Sequence, residues 1–125
     1  MHSHDVSFTL YGIKNCDTMK KARLWLDQRQ LSYHFHDYRV DGVSLETLQR
    51  FLINTTWQAL LNTHGSTWRK FSEEERRQAT NANGALQLMV RQPSVIKRPV
   101  LERQDGALLV GFDPLEYEIF FSKEA

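Results

Sequence analysis

Tyr11-Gly12-Ile13-Lys14-Asn15-Cys16-Asp17-Thr18-Met19-Lys20-Lys21-Ala22 changes rhythm from strand to helix. Upstream, Val6 to Tyr11 is rich in β-branched and aromatic residues and runs into Gly12, which predicts a first strand ending in a turn. From Asp17 onward Met19, Ala22, Trp25 and Leu26 recur at helical spacing, while Lys20, Lys21, Arg23 and Asp27 take the other side. That pattern predicts an amphipathic helix to about Arg29. Cys16 thus stands just before a helix N-terminus, where unpaired backbone N–H groups and the positive end of the helix dipole favour thiolate over thiol. Cysteines in such settings have a pKa lowered from about 8.5 to about 3.5–7.5, which makes a nucleophile at neutral pH. Lys14 and Lys20 add positive charge, and Asp17 opposes them.

Outward from this junction, Leu31 to Tyr38 alternates, with Tyr33 and Phe35 on one side and His34 and His36 on the other. A second strand there completes a β-α-β unit, whose strands are expected to be parallel neighbours. Asp41-Gly42 breaks the chain, and Ser44 to about Gly84 reads as mostly helical. Ser44 caps a segment carrying Leu45, Leu48, Phe51 and Leu52, and a second segment carries Trp57, Leu60 and Leu61. Ser72 with Glu75 forms a capping box, and the run Glu73 to Arg77 reads as a solvated, salt-bridged helix face. A further helix is expected to start at Gly84, run through Leu86, Leu88, Met89 and Val90, and end by Pro93. Val100 to Arg103 and Ala107 to Val110 flank Gln104-Asp105-Gly106, the turn chemistry of a tight hairpin. Asp113-Pro114-Leu115-Glu116 opens the last helix with an N-cap, a first-turn proline and a capping-box glutamate.

The predicted order is β-α-β, a helical insertion at about residues 44–92, then β-β-α. This is an α/β, thioredoxin-like arrangement: a four-stranded mixed sheet flanked by helices, in one domain over residues 1–125. A chain of this length closes one hydrophobic core without disulfides or a structural metal. With 16 basic and 15 acidic residues the formal charge is +1, which offers no electrostatic footprint for nucleic acid or a membrane surface. One cysteine makes no internal disulfide and no cysteine-rich zinc site. No long apolar run offers a membrane span, and Met1-His2-Ser3-His4-Asp5 lacks the regions of a secretory signal, so a cytoplasmic location is expected. His34 and His36 read as a polar sheet face rather than metal ligands, His2 and His4 as part of a disordered terminus, and Trp25 and Trp57 as packing. Trp68 is a candidate pocket residue.

The opening stretch, together with Ile96-Lys97-Arg98-Pro99, resembles the YffB branch of the ArsC-like thioredoxin-fold family. The likeness extends through Ala59-Leu60-Leu61-Asn62, Thr67-Trp68-Arg69-Lys70 and Leu109-Val110-Gly111-Phe112. It implies Cys16 as the nucleophile, Arg98 as its partner before a cis Pro99, and a glutathione-dependent thiol reductase. Glutathione is then a co-substrate, with no bound cofactor and no metal, and glutaredoxin or an oxidised protein thiol is a further partner. Lys14, Asn15, Asp17, Thr18 and Pro99 become the expected glutathione contacts, and the planar fork of Arg98 suits a carboxylate or oxyanion beside the sulfur. Where ArsC-type arsenate reductases carry two further anion-binding arginines, this chain has Asn62-Thr63-His64-Gly65 and Leu109-Val110-Gly111, which argues against arsenate. His64 is a candidate to replace one of them. Spx-type regulators share the fold and bind RNA polymerase, many with Cys-x-x-Cys at the helix start, but here the second position is Met19. Cys16 would therefore need an external thiol to resolve an adduct. The alternatives to a reductase are an RNA polymerase-binding regulatory module and an arsenate reductase.

Overall fold

Alternating side chains give the first strand two apolar faces, and both are covered. In the computed structural model, which describes residues 7–122, β1 spans Phe8–Gly12. The expected strand start at Val6, and His2 and His4, lie outside the described residues. Phe8 and Leu10 join Met19, Ala22, Trp25, Leu26, Leu101 and Tyr117 on one face of the sheet. Tyr11 joins Leu48, Phe51, Leu60, Leu86, Met89, Ile96 and Val100 on the other. Fully burying an aliphatic side chain such as Leu10 or Leu101 stabilises by about 1.5–3 kcal/mol.

The first face is covered by α1 (Asp17–Gln28), whose buried residues are Met19, Ala22, Trp25 and Leu26. β2 follows at His34–Asp37 and runs parallel to β1, with Thr9 opposite His34 and Tyr11 opposite His36. This strand is shorter than Leu31 to Tyr38, because Asp37 turns to cap a short helix, α2 (Tyr38–Asp41), accepting the Arg39 N–H at 2.9 Å. β3 (Val100–Arg103) pairs antiparallel with β1, and β4 (Leu108–Val110) with β3, so the sheet order is β2-β1-β3-β4. The hairpin loop has three residues, closed by Arg103 N–H to the Ala107 carbonyl at 2.8 Å, and Gly106 takes the positive φ of +97° that such a loop requires.

Between the halves lie α3 (Leu45–Phe51), α4 (Trp57–Leu60), α5 (Ser66–Lys70), α6 (Glu73–Arg77) and α7 (Ala82–Arg91), then a 3₁₀ turn at Pro93–Val95. Ser44 caps α3, and Ser72 with Glu75 forms the full capping box of α6. α7 starts at Ala82 behind an Asn81 cap, not at Gly84: the Asn81 side chain accepts the Gly84 N–H at 2.9 Å, so the glycine lies in the first turn. With α2 included, helical structure after β2 begins at Tyr38, ahead of residue 44. The last helix, α8 (Pro114–Ser122), is capped by Asp113, which accepts the Leu115 N–H at 2.9 Å, and packs Tyr117 beneath Trp25 at a ring separation of 5.3 Å.

Candidate active site

β1 ends at Gly12, and the turn through Lys14 and Asn15 delivers Cys16 to the N-cap of α1 with extended backbone angles. Its carbonyl accepts the Lys20 N–H at 3.0 Å, so the helix begins at once beyond it. Gly12 makes the approach possible: a Cβ there would lie 2.2 Å from the Met19 sulfur, which is fully buried. The Cys16 thiol is half-buried. That burial pulls its pKa up, but the Met19 N–H, the Arg98 guanidinium and the Thr18 N–H together more than offset it, and the thiol titrates below its ordinary value. Cys16 makes no formed side-chain capping bond in the resting geometry. The two N–H groups act on the sulfur as oriented dipoles, whose pull on a full negative charge exceeds their pull on a neutral thiol.

Arg98 reaches the sulfur from the other half of the fold. Backbone bonds from Asn62 N–H to the Val95 carbonyl (2.8 Å) and from Lys97 N–H to the Leu60 carbonyl (2.7 Å) tie the approach to β3 against α4. The Arg98–Pro99 peptide is cis, and Pro99 is buried with its carbonyl held by Gly111 N–H at 2.7 Å. Arg98 Nη1 donates to the Ser94 carbonyl at 2.9 Å, which fixes the fork, and Nε is buried with no hydrogen-bond partner. The guanidinium acts on Cys16 both as a hydrogen-bond donor and as a positive charge.

Of the expected contacts, the structure brings Cys16, Arg98 and the Thr18 backbone together. Lys14, Asn15 and Asp17 are exposed around the thiol on the turn and the first helical residue. The backbone N–H groups expected to act on the sulfur at the helix start are those of Met19 and Thr18. Sequence reasoning missed the Ser94 carbonyl, a backbone group on which side-chain identity carries no signal. His36 is not simply part of a polar face: its Nε2 donates to the Gly42 carbonyl at 2.6 Å, and its ring packs 5.0 Å from that of Tyr11. His64 is exposed, and with Trp57, Trp68 and Lys97 it lines a groove of about 380 Å³ on the helical insertion. Among the described residues no three His, Cys, Asp or Glu side chains gather as metal ligands would, and no helix is long and apolar enough to cross a membrane.

Known proteins align with this architecture along its length. A solved structure of a YffB protein superposes with a TM-score of 0.84 at 48% identity, covering 90% of this chain and 96% of that one. A Haemophilus influenzae protein is 40% identical over 91% of this chain and 98% of its own length. The global transcriptional regulator Spx of Streptococcus pyogenes is 23% identical over 93% of this chain and 86% of its own. The ArsC family model matches residues 11–120, from the strand before the cysteine to the last helix, and the chain belongs to the ArsC family.

Proposed function

We propose that the protein is a glutathione-dependent thiol reductase in which Cys16 is the only thiol nucleophile. The observation that carries this reading is the lowered pKa of the Cys16 thiol: burial raises it, and the Met19 N–H, the Arg98 guanidinium and the Thr18 N–H more than reverse that. A thiolate at neutral pH attacks disulfide sulfur, and a thiol is nearly inert in the same reaction. The chain has one cysteine, so no second thiol of its own releases the mixed disulfide, and glutathione supplies that thiol. Arg98 and Lys14 take the glutathione carboxylates, with Asn15, Asp17 and Thr18 around the rim. The Pro99 carbonyl is already held by Gly111, so the backbone that pairs with the peptide-like part of glutathione is that of Arg98.

The test is the rate of Cys16 alkylation against pH, with mass spectrometry after exposure to glutathione disulfide. A midpoint below the ordinary thiol range and a single glutathione adduct are expected. A midpoint at about 8.5 or higher with no adduct would sink the reading. The likeness to Spx favours one other reading, a module that engages RNA polymerase through the same fold. Cys16→Ser separates the two, because a polymerase complex survives that change and thiol turnover does not. Arsenate reduction is expected to be slight: Asn62 to Gly65 and Leu109 to Gly111 carry no arginine for the oxyanion.

A further inference from the structure

The helical insertion carries a cavity of its own. Trp57 opens α4, and Leu61 leaves that helix in an extended conformation and bridges Ile96. The bond from Lys97 N–H to the Leu60 carbonyl at 2.7 Å then fixes Lys97 beside them. Together with Trp68 and His64 these side chains line a groove of about 380 Å³, within the range of about 300–1,000 Å³ typical of small-molecule sites. Trp57 and Trp68 are half-buried and pack on the apolar cluster beneath the insertion, which leaves part of each indole open. Trp68 is held in place: Arg76 donates Nε and Nη2 to its carbonyl at 3.3 Å each, the Arg76 guanidinium lies 5.7 Å from its ring centre, and Phe71 meets the ring edge-on at 5.9 Å. A ring fixed in advance loses little freedom when it takes a partner. No acidic side chain lines the groove. Among the described residues no carboxylate forms an ion pair with Lys97, whose half-buried ammonium thus stands without a counter-charge.

We propose that this groove is a second ligand site, separate from Cys16, and that it takes a small aromatic carboxylate. The flat ring lies against the Trp57 and Trp68 indoles, and the carboxylate accepts from the Lys97 ammonium. Each half of the ligand answers a feature of the groove: indole surface without a partner, and a cation without an anion. A cationic ring would meet Lys97 and find no carboxylate. The site goes beyond the thiol chemistry and does not rest on it. Cys16 packs against the apolar cluster on the other face of the sheet, and neither Cys16 nor Arg98 lines the groove.

The test is a titration of the full, ¹⁵N-labelled chain with 2-naphthoate, with neutral 2-naphthamide as control, read from the indole N–H signals of its three tryptophans. Trp25 is buried on the opposite face and serves as an internal reference. Saturable shifts of the Trp57 and Trp68 signals are expected, with Trp25 unmoved. Lys97→Gln should weaken naphthoate about tenfold and leave naphthamide unchanged, and Trp68→Leu should weaken both about fivefold. An unmoved Trp25 signal in Lys97→Gln shows that the variant keeps its fold. No saturable shift, equal shifts at all three tryptophans, or an equal loss of naphthoate and naphthamide in Lys97→Gln overturns the site. Tighter binding of the capped peptide acetyl-Asp-Phe-amide than of naphthoate overturns the small-molecule assignment and gives the groove to a protein partner. Cys16→Ser should leave the naphthoate titration as it is, whether or not the thiol turns over disulfides. A loss of binding in that variant overturns the independence of the two sites.

Discussion

At Cys16 the outcome is a contest between burial, which favours the neutral thiol, and three groups that favour the thiolate: the Met19 N–H, the Arg98 guanidinium and the Thr18 N–H. Arg98 is the member of that set that substitution can remove without unwinding a helix. Arg98→Met keeps the alkyl stem and deletes the charge, so the Cys16 midpoint is expected to move up toward about 8.5 and alkylation at neutral pH to slow severalfold. Arg98→Lys restores charge without the fork and should recover part of the shift. An unchanged midpoint in both variants would mean that the backbone amides alone hold the thiolate. Linkage gives the same contact a second reading. Because the folded-state pKa is lowered, the stabilisation is fully present above the unfolded thiol value and is lost as pH falls through the folded one. The stability difference between the native chain and Cys16→Ser should therefore grow, in favour of the native chain, as pH rises from about 6 to about 9 in urea unfolding.

At the scale of elements, Gly84 sets two opposing effects against each other. It lies in the first turn of α7, where alanine would gain about 1 kcal/mol of helix propensity. A Cβ there would stand 2.0 Å from the Gln78 carbonyl oxygen, a backbone atom that no rotamer change moves aside. Relief needs the α6–α7 junction to shift and disturbs the Asn81 cap, so overpacking at about 1–3 kcal/mol prevails. Gly84→Ala should lower the thermal midpoint, and a raised midpoint would show that the junction yields freely. The same glycine shows where reading the sequence reaches its limit. α1 was legible because Met19, Ala22, Trp25 and Leu26 make one long stripe, and the hairpin because Asp105-Gly106 has few other uses. The four- and five-residue helices of the insertion have too few turns for a period to fix their ends. Tyr38 looked like strand because it is aromatic, yet the local hydrogen bond from Arg39 N–H to Asp37 turned it into α2. Cys16 was readable from the strand-to-helix change alone. Arg98, far away in sequence, needed the family resemblance, and the Ser94 carbonyl that holds it had no signal at all.

Across the whole molecule, one buried polar cluster joins the sheet to the insertion. Glu102, 9% exposed on β3, accepts Tyr11 Oη–H at 2.8 Å from β1 and two bonds from Arg50 on α3, Nε to Oε2 at 2.7 Å and Nη2 to Oε1 at 3.0 Å. Arg50 Nη2 also donates to Tyr11 Oη at 3.0 Å. Burial first, and then the Glu102 carboxylate, pushes the Tyr11 hydroxyl up to about 12, so it remains a proton donor at neutral pH. Removing one partner of a buried ion pair costs about 3–5 kcal/mol when no water can replace it. Arg50 is 47% exposed along its side chain, so water reaches the gap it would leave, and Arg50→Met should cost less, about 1–3 kcal/mol. Glu102→Leu leaves the Arg50 head in water and Tyr11 without its main acceptor, a loss of about 1–3 kcal/mol. The double variant removes the buried charge along with its counterion, so its cost should fall short of the sum by about 1–2 kcal/mol. The cycle is read from urea midpoints at constant m. Strict additivity would mean that Arg50 and Glu102 do not sense each other, and that apolar packing alone holds the insertion on the sheet. A shortfall would identify this cluster as the polar fastening that keeps α3 over β1 and β3, the two strands whose far ends carry Cys16 and Arg98.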